Sequence, residues 1–213
     1  MYYILDTETA GLAGGVVELA YLVVDSALNV QESFVSRCNP HRKIAADAYA
    51  IHGISDKDVA SAPTLSELAK NIPARIDLIA HNASFDARMI APSITVGRSL
   101  CTLALSRTYI KGTSNHKLPT LRKELALPEQ QDHSALGDVH TTLALLKRIV
   151  ELTGVDVETH FQRLNQPRML SNMPFGKFKG LAMLDVPADY RKWLVGQEID
   201  RDLKYTVEKL EQL

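Results

Sequence analysis

Asp6-Thr7-Glu8 sets two carboxylates two residues apart, where the β-prone run Tyr2 to Leu5 ends. On a strand, residues i and i+2 share a face. Two acids on one face repel, and each makes its neighbour harder to ionise. A divalent cation between them relieves that cost, and hard oxygen ligands suit Mg²⁺ or Mn²⁺. Solvated turn acids would spell the same letters, so the pair says little alone. A second acid-bearing segment, His81-Asn82-Ala83-Ser84-Phe85-Asp86, follows a short apolar strand. Asn82 or Ser84 is suited to cap a helix there, and Asp86 falls in its first turn, where the helix dipole by itself favours an acid. A third, His133-Ser134-Ala135-Leu136-Gly137-Asp138, opens a long amphipathic helix. Ser134 is its expected N-cap and His133 stands just outside. Asp138 lies one turn in, beside an apolar stripe where an acid needs a partner or a metal. Together Asp6, Glu8, Asp86 and Asp138 are the parts for two-metal phosphoryl hydrolysis. In that chemistry two ions ~3.5–4 Å apart hold the attacking and leaving oxygens. A neutral histidine, with an ordinary pKa of ~6.5, takes the proton of the attacking water.

The elements that must position these groups are legible in outline. Val16 to Asp25 and Val30 to Cys38 read as two further strands, joined by a turn at Leu28-Asn29 into a hairpin. Leu65 to Ile76 has helical spacing with Thr64 as N-cap. Leu78 to Ala80 reads as a fourth strand, Ala83 to Ile90 as a helix stopped by Pro92, and Ser99 to Thr102 as a fifth strand. Leu118 to Leu127 is expected to be a short helix. Leu136, Val139, Leu143, Leu146 and Val150 give a helix over about Ala135 to Leu152, stopped by Gly154. Around Asn165 to Asn172 a linker with Pro167 sets off the tail. A hairpin followed by strands alternating with helices means an α/β fold with a mixed sheet.

Composition narrows the class. With 213 residues, 46% hydrophobic and 23% charged, the chain is neither disordered nor a coiled coil. No apolar window reaches ~18 residues, so no membrane partner is expected. Asp6 interrupts the N-terminal apolar run too early for a signal peptide. Two cysteines, Cys38 and Cys101, without a partner motif suggest a reducing, cytoplasmic setting. Lys plus Arg is 24 against 25 for Asp plus Glu, so any nucleic-acid partner is held locally, with help from bound cations.

The three acid-bearing segments, in this order and spacing, resemble the DEDDh exonucleases, a ribonuclease H-like superfamily of 3′→5′ exonucleases. Ala50-Ile51-His52-Gly53-Ile54-Ser55-Asp56 is similar to a segment that family carries between its first two motifs. The resemblance implies a mixed five-stranded sheet flanked by helices over residues 1–165. It implies two Mg²⁺ ions, replaceable by Mn²⁺, on Asp6, Glu8, Asp86 and Asp138, and His133 as general base. Residues 166–213 form a small C-terminal module. Its Met173-Pro174-Phe175-Gly176-Lys177-Phe178-Lys179-Gly180, Asp185-Val186-Pro187, Tyr190 and Trp193-Leu194 resemble the tail of the bacterial exonuclease X branch. That branch acts on DNA. The implied partners are therefore DNA 3′ ends, single-stranded or frayed duplex, with release of 5′-nucleoside monophosphates. RNA exonucleases and proofreading subunits of the same superfamily are the alternatives, and a non-catalytic binding protein is a further one. The sequence leaves the oligomeric state open.

Candidate substrate contacts surround the first motif. Phe85 is suited to flank a terminal base, with core packing as the competing reading. Leu12, after Gly11, is suited to wedge against a last base pair. Thr7, Thr9, His52 and Asn82 are expected near the terminal sugar or base. Glu18, an acid inside an apolar strand, reads as a partnered structural group. In the tail, Lys177 and Lys179 are the expected nucleic-acid contacts, while Phe175 and Trp193 are expected to fill the module's small core.

Overall fold

The structure, a computed structural model, describes residues 1–12, 14–128, 134–167, 169–197 and 199–212. β1 (Tyr2–Thr9), β2 (Val16–Val24) and β3 (Val30–Arg37) run antiparallel in sequence. β4 (Arg75–Ala80) then pairs parallel with β1, and β5 (Thr95–Cys101) parallel with β4. The sheet order is β3-β2-β1-β4-β5. All nine residues of β2 are buried, as befits a central strand covered on both faces. The β2–β3 turn is closed by Asp25, whose Oδ1 accepts the backbone N–H of Ala27 and of Asn29, each at 2.9 Å.

Three short helices cross from β3 to β4: α1 (Ala46–His52), α2 (Asp56–Val59) and α3 (Leu65–Leu68). The single helix expected over Leu65 to Ile76 is not formed. A 3₁₀ turn, Ala69–Asn71, ends it, because Pro73 drives Ile72 to an extended backbone (φ −112°, ψ 141°). The freed residues lengthen β4 back to Arg75. α4 (Ala83–Ile90) follows β4, and α5 (Thr102–Tyr109) follows β5. α6 (Leu118–Glu124) stops before the expected Leu127, with Ala126 at φ 50°. α7 (Ala135–Thr153) ends on Gly154 in the left-handed region, and α8 (Val157–Asn165) closes the series.

Strand alternation assigns the two faces of the sheet. Leu5, Leu19, Tyr21 and Val23 pack with Leu78, Ala80, Ala83 and Ile90, which places them on the α4 side. α7 packs on β1 and β2 from the other side. Ile4, Asp6 and Glu8 share the parity opposite to Leu5 and so face α7.

The chain divides into two compact units, Met1–Phe161 and Gln162–Leu213, so the division falls inside α8, a few residues before the boundary read from the sequence. The second unit has its own core of Met173, Met183, Val186, Leu194, Leu203 and Val207. It contains an antiparallel bridge between Asn172 and Ala182, α9 (Ala188–Val195) and α10 (Arg201–Leu210), the last capped by Asp200. Among the described residues no helix is long and apolar enough to cross a membrane. Cys38 and Cys101 are both free thiols, and burial pushes Cys38 up to about 11.

Candidate active site

The site is assembled where β1 ends beside the start of α7. α7 is anchored there by two acceptors. Ser134 Oγ accepts the N–H of Gly137 at 3.1 Å, and Glu18 Oε2 on β2 accepts the N–H of Ala135 at 2.9 Å. Glu18 Oε1 meets Arg37 on β3 at 2.7 Å. The buried acid within β2 is thus a strut that fixes the first turn of α7, and Asp138 with it. Glu18→Ala would strand a buried N–H and unpair Arg37. We expect a loss of about 1–3 kcal/mol of stability, read by denaturant unfolding, with lower turnover and smaller losses in Glu18→Gln.

Carboxylate oxygens of Asp6, Glu8 and Asp138 lie within 4.8 Å of one another. Burial, then the charges of Asp86, Asp138, Glu8 and Glu18, hold the Asp6 carboxyl well above the usual carboxylate range. Burial, then Asp138, Glu18 and Asp86, raises Glu8 to about 7. Among the described residues neither Asp6 nor Glu8 forms an ion pair with a lysine or arginine. Three hard oxygen donors, mutually repelling and without cationic partners for the first two, form a set that a divalent ion fits.

Asp86 joins them from the opposite side of β1. It is 2% exposed, so it is no solvated dipole acid. Its Oδ1 accepts the N–H and the hydroxyl of Thr7, at 3.1 and 2.9 Å. Burial raises its pKa, while these two bonds pull the other way. Thr7 therefore spends its polar groups on holding Asp86. Neither expected helix cap is made in the usual way. Asn82 occupies the N-cap position of α4 in the left-handed region (φ 76°), and its side chain accepts no backbone N–H of the helix. Ser84 Oγ reaches only Asn82 Oδ1, at 3.5 Å. His133 lies outside the described residues.

Two cavities flank the carboxylates. One, of about 220 Å³, is lined by Glu8, Thr9, Leu12, Ile51, His52 and Phe85 among others. Leu12, 83% exposed, stands at its edge. Phe85 is half-buried, with the Arg88 guanidinium 5.5 Å from its ring centroid. It is a wall of this cavity. Thr9 and His52 line the same space with their polar groups engaged. Thr9 Oγ1 donates to the carbonyl of Gly11 at 3.1 Å. His52 Nδ1 accepts the N–H of Ile54 at 3.0 Å, so its Nε2–H donates to the carbonyl of Thr9 at 3.2 Å. Burial lowers the His52 pKa, in keeping with that neutral ring.

The second cavity, about 590 Å³, is lined by Asp6 and Asp138 together with His81, Arg107, His116 and Lys117. His81 Nε2 donates to the carbonyl of His116 at 2.8 Å. Burial pushes His81 down to about 4, so its ring is neutral and Nδ1 accepts the Thr102 hydroxyl at 3.0 Å. His81 thereby ties the segment before α6 to the start of α5. Arg107 and Lys117 escape a sequence reading, because nothing in their local pattern distinguishes them from surface bases. Only the path of α5 and the following loop brings them to the cavity that the acids line.

A five-stranded mixed sheet in this order, with acids at the end of its central strand, is the ribonuclease H-like fold. Residues 3–146 match the family described as Exonuclease, and the chain belongs to that family. It is 35% identical over 202 residues to Exodeoxyribonuclease 10 of Escherichia coli (strain K12), covering 91% of this chain and 90% of that protein. It is 32% identical over 165 residues to a DNA polymerase III subunit epsilon-like protein of Rhodobacter capsulatus, covering 70% of this chain but 23% of that protein. Among solved structures, exonuclease X in complex with 5′ overhanging duplex DNA superposes with a TM-score of 0.67 at 32% identity, over 76% of this chain and 98% of that one. Escherichia coli exonuclease I with a dT13 oligonucleotide shares the fold, with a TM-score of 0.61 at 18% identity over 72% of this chain and 41% of that one. Residues 163–199 match a second family, described as "Putative quorum-sensing-regulated virulence factor".

Proposed function

We propose that this exonuclease removes 5′-nucleoside monophosphates from the 3′ ends of DNA, single-stranded or frayed, in the cytoplasm. The observation that carries the reading is the cluster of Asp6, Glu8 and Asp138 oxygens at the end of β1, open to a cavity on either side. The DNA substrate rests on the likeness to Exodeoxyribonuclease 10 and to exonuclease X bound to duplex DNA.

Asp6, Glu8 and Asp138, with Asp86 behind them, would hold two divalent ions, Mg²⁺ or Mn²⁺. Bound there, the ions would supply Lewis-acid stabilisation of the charge developing on the phosphoryl and leaving oxygens and would acidify the attacking water. The chain's own residues do the rest. His133, one residue before the N-cap of α7, takes the proton of the attacking water. Phe85 and Ile51 offer apolar faces to the terminal base in the smaller cavity, and Leu12 stands where a wedge would meet the next pair. Thr7, Thr9 and His52 keep the end of β1 rigid through the bonds described above, and Asn82 sets the entry of α4. Arg107 and Lys117 give the second cavity a positive wall, suited to phosphates of the strand near the acids.

The test is digestion of matched DNA and RNA oligonucleotides with free 3′ ends, with and without Mg²⁺. Stepwise shortening of DNA that stops in chelator is the expected result. Shortening of RNA alone would transfer the same site to RNA processing, and no cleavage of either would sink the reading. Leu12→Ala should lower the rate on blunt duplex more than on single strands, and equal effects on both would remove the wedge role.

A further inference from the structure

The C-terminal unit does not use its aromatics as its size suggests. Phe175 and Trp193, expected in the core, are instead 43% and 54% exposed. The core closes without them, on methionines and aliphatics. What the unit builds instead is a row of rings. Phe178 meets Tyr190 edge to face at 4.8 Å between centroids, and Tyr190 meets Trp193 at 5.3 Å with the planes tilted by 32°. Phe178 and Tyr190 pack on the core and anchor the row. Trp193 is its outer end and leaves most of its surface in water.

A fixed loop lies against this row. Met173 N–H donates to the carbonyl of Leu181 and Gly180 N–H to that of Met173, both at 2.8 Å, and Lys179 N–H closes on Gly176 at 3.1 Å. Gly176 sits at φ 75°, and a Cβ there would come within 3.0 Å of the Tyr190 hydroxyl oxygen, so the loop backbone is seated directly on the row. The loop presents Lys177 and Lys179, both exposed and without an ion pair among the described residues. Lys177 Nζ stands 5.4 Å from the Phe178 centroid. From Phe175 to Trp193 the chain has four basic residues against two acidic. An exposed indole on an anchored ring, beside unpaired ammonium groups on a rigid turn, has the two elements single-stranded nucleic acid needs: a stacking face for bases and cations for phosphates.

We propose that this face, Trp193 and Tyr190 with Lys177 and Lys179, is a second binding site that stacks unpaired bases of a single-stranded polynucleotide. It belongs to the C-terminal unit alone and does no chemistry. Its function rests on the nuclease reading above: a strand held here raises the effective concentration of its own 3′ end.

Trp193 is the only tryptophan in the chain, so its emission reports on the site directly. The full chain carrying Asp6→Asn, in chelator, is titrated with oligothymidylate while tryptophan fluorescence is followed. Saturable quenching that weakens with salt is expected. Lys177→Ala with Lys179→Ala, at exposed positions that threaten no fold, should weaken binding and flatten the salt slope by about two. Trp193→Ala in an otherwise wild-type chain, followed with a labelled oligonucleotide in chelator, should loosen binding by roughly 5–100-fold. Its turnover on a saturating short substrate should be unchanged. Hydrolysis by the wild-type chain without quenching in the variant would overturn the stacking site and leave the nuclease reading standing. Quenching without hydrolysis would support the stacking site and sink the nuclease reading. Quenching that the lysine pair does not alter would overturn the role given to the loop.

Discussion

Asp6→Asn is expected to abolish hydrolysis and, in chelator above pH 7, to melt at a higher temperature than the wild-type chain. Loss of activity follows from replacing an anionic carboxylate of the cluster with a neutral amide, a far weaker ligand for a divalent ion. The gain in stability follows from electrostatics of the ion-free site. Folding gathers Asp6, Glu8 and Asp86 beside Asp138, where burial and the neighbouring charges disfavour the charged forms of the first three. A carboxyl whose pKa is higher folded than unfolded keeps its full stability at low pH and loses it as pH rises through the folded value. For Glu8 that window runs from its ordinary 4.5 to about 7. The chelated wild type should therefore lose stability between about pH 4.5 and 7. Removing one charge should return on the order of 1 kcal/mol, or about 2–4 °C in Tm for a chain of this size. Mg²⁺ or Mn²⁺ should raise the wild-type Tm more at pH 8 than at pH 5, because the donors must be ionised to bind. A chelated Asp6→Asn that melts below wild type at pH 8 would mean that Asp6 makes a structural bond worth more than the repulsion it suffers.

The sequence displayed the acids more clearly than the surfaces around them. Asp6 and Glu8 were readable because strand alternation dictates a shared face, and Asp138 because a strong apolar stripe fixed the phase of α7. α4 has the bounds expected for it, Ala83–Ile90, since Pro92 punctuates its end. α1 was not readable: its seven residues bury only Ala48 and carry no apolar stripe. α5 escapes periodicity because Thr102 and Ser106, both buried, replace the apolar positions that it counts. The unread elements build the cavity walls, with Ile51 on α1 and Arg107 on α5. The acids follow from local rules of one strand and one helix, whereas the walls depend on where loops of no strong pattern cross the sheet.

The tail departs from its composition for a related reason. Counting aromatics against the size of the unit predicts that Phe175 and Trp193 are core. Met173, Met183 and three aliphatic side chains from α9 and α10 fill that volume instead. Flexible methionines fit an irregular small core, which frees the larger rings for the surface. Composition counts apolar residues without saying which of them the backbone turns inward.

His133→Ala should lower the rate by about 10²–10⁴-fold, the usual contribution of general base catalysis, while Mg²⁺ still raises Tm as it does in the wild type. Glu18 and Ser134 fix the first turn of α7, and Asp138 with it. The residue five before Asp138 in sequence is none of the donors, because Asp6 and Glu8 come from β1 and Asp138 from within α7. Base and donors therefore separate in experiment. The wild-type rate should rise with pH as the base loses its proton, and the variant should lose that limb while keeping its response to the ion. If Mg²⁺ no longer stabilises His133→Ala, the imidazole is a ligand instead. If the rate is unchanged, the water is deprotonated without a side chain from this segment, and the four carboxylates alone must carry the chemistry.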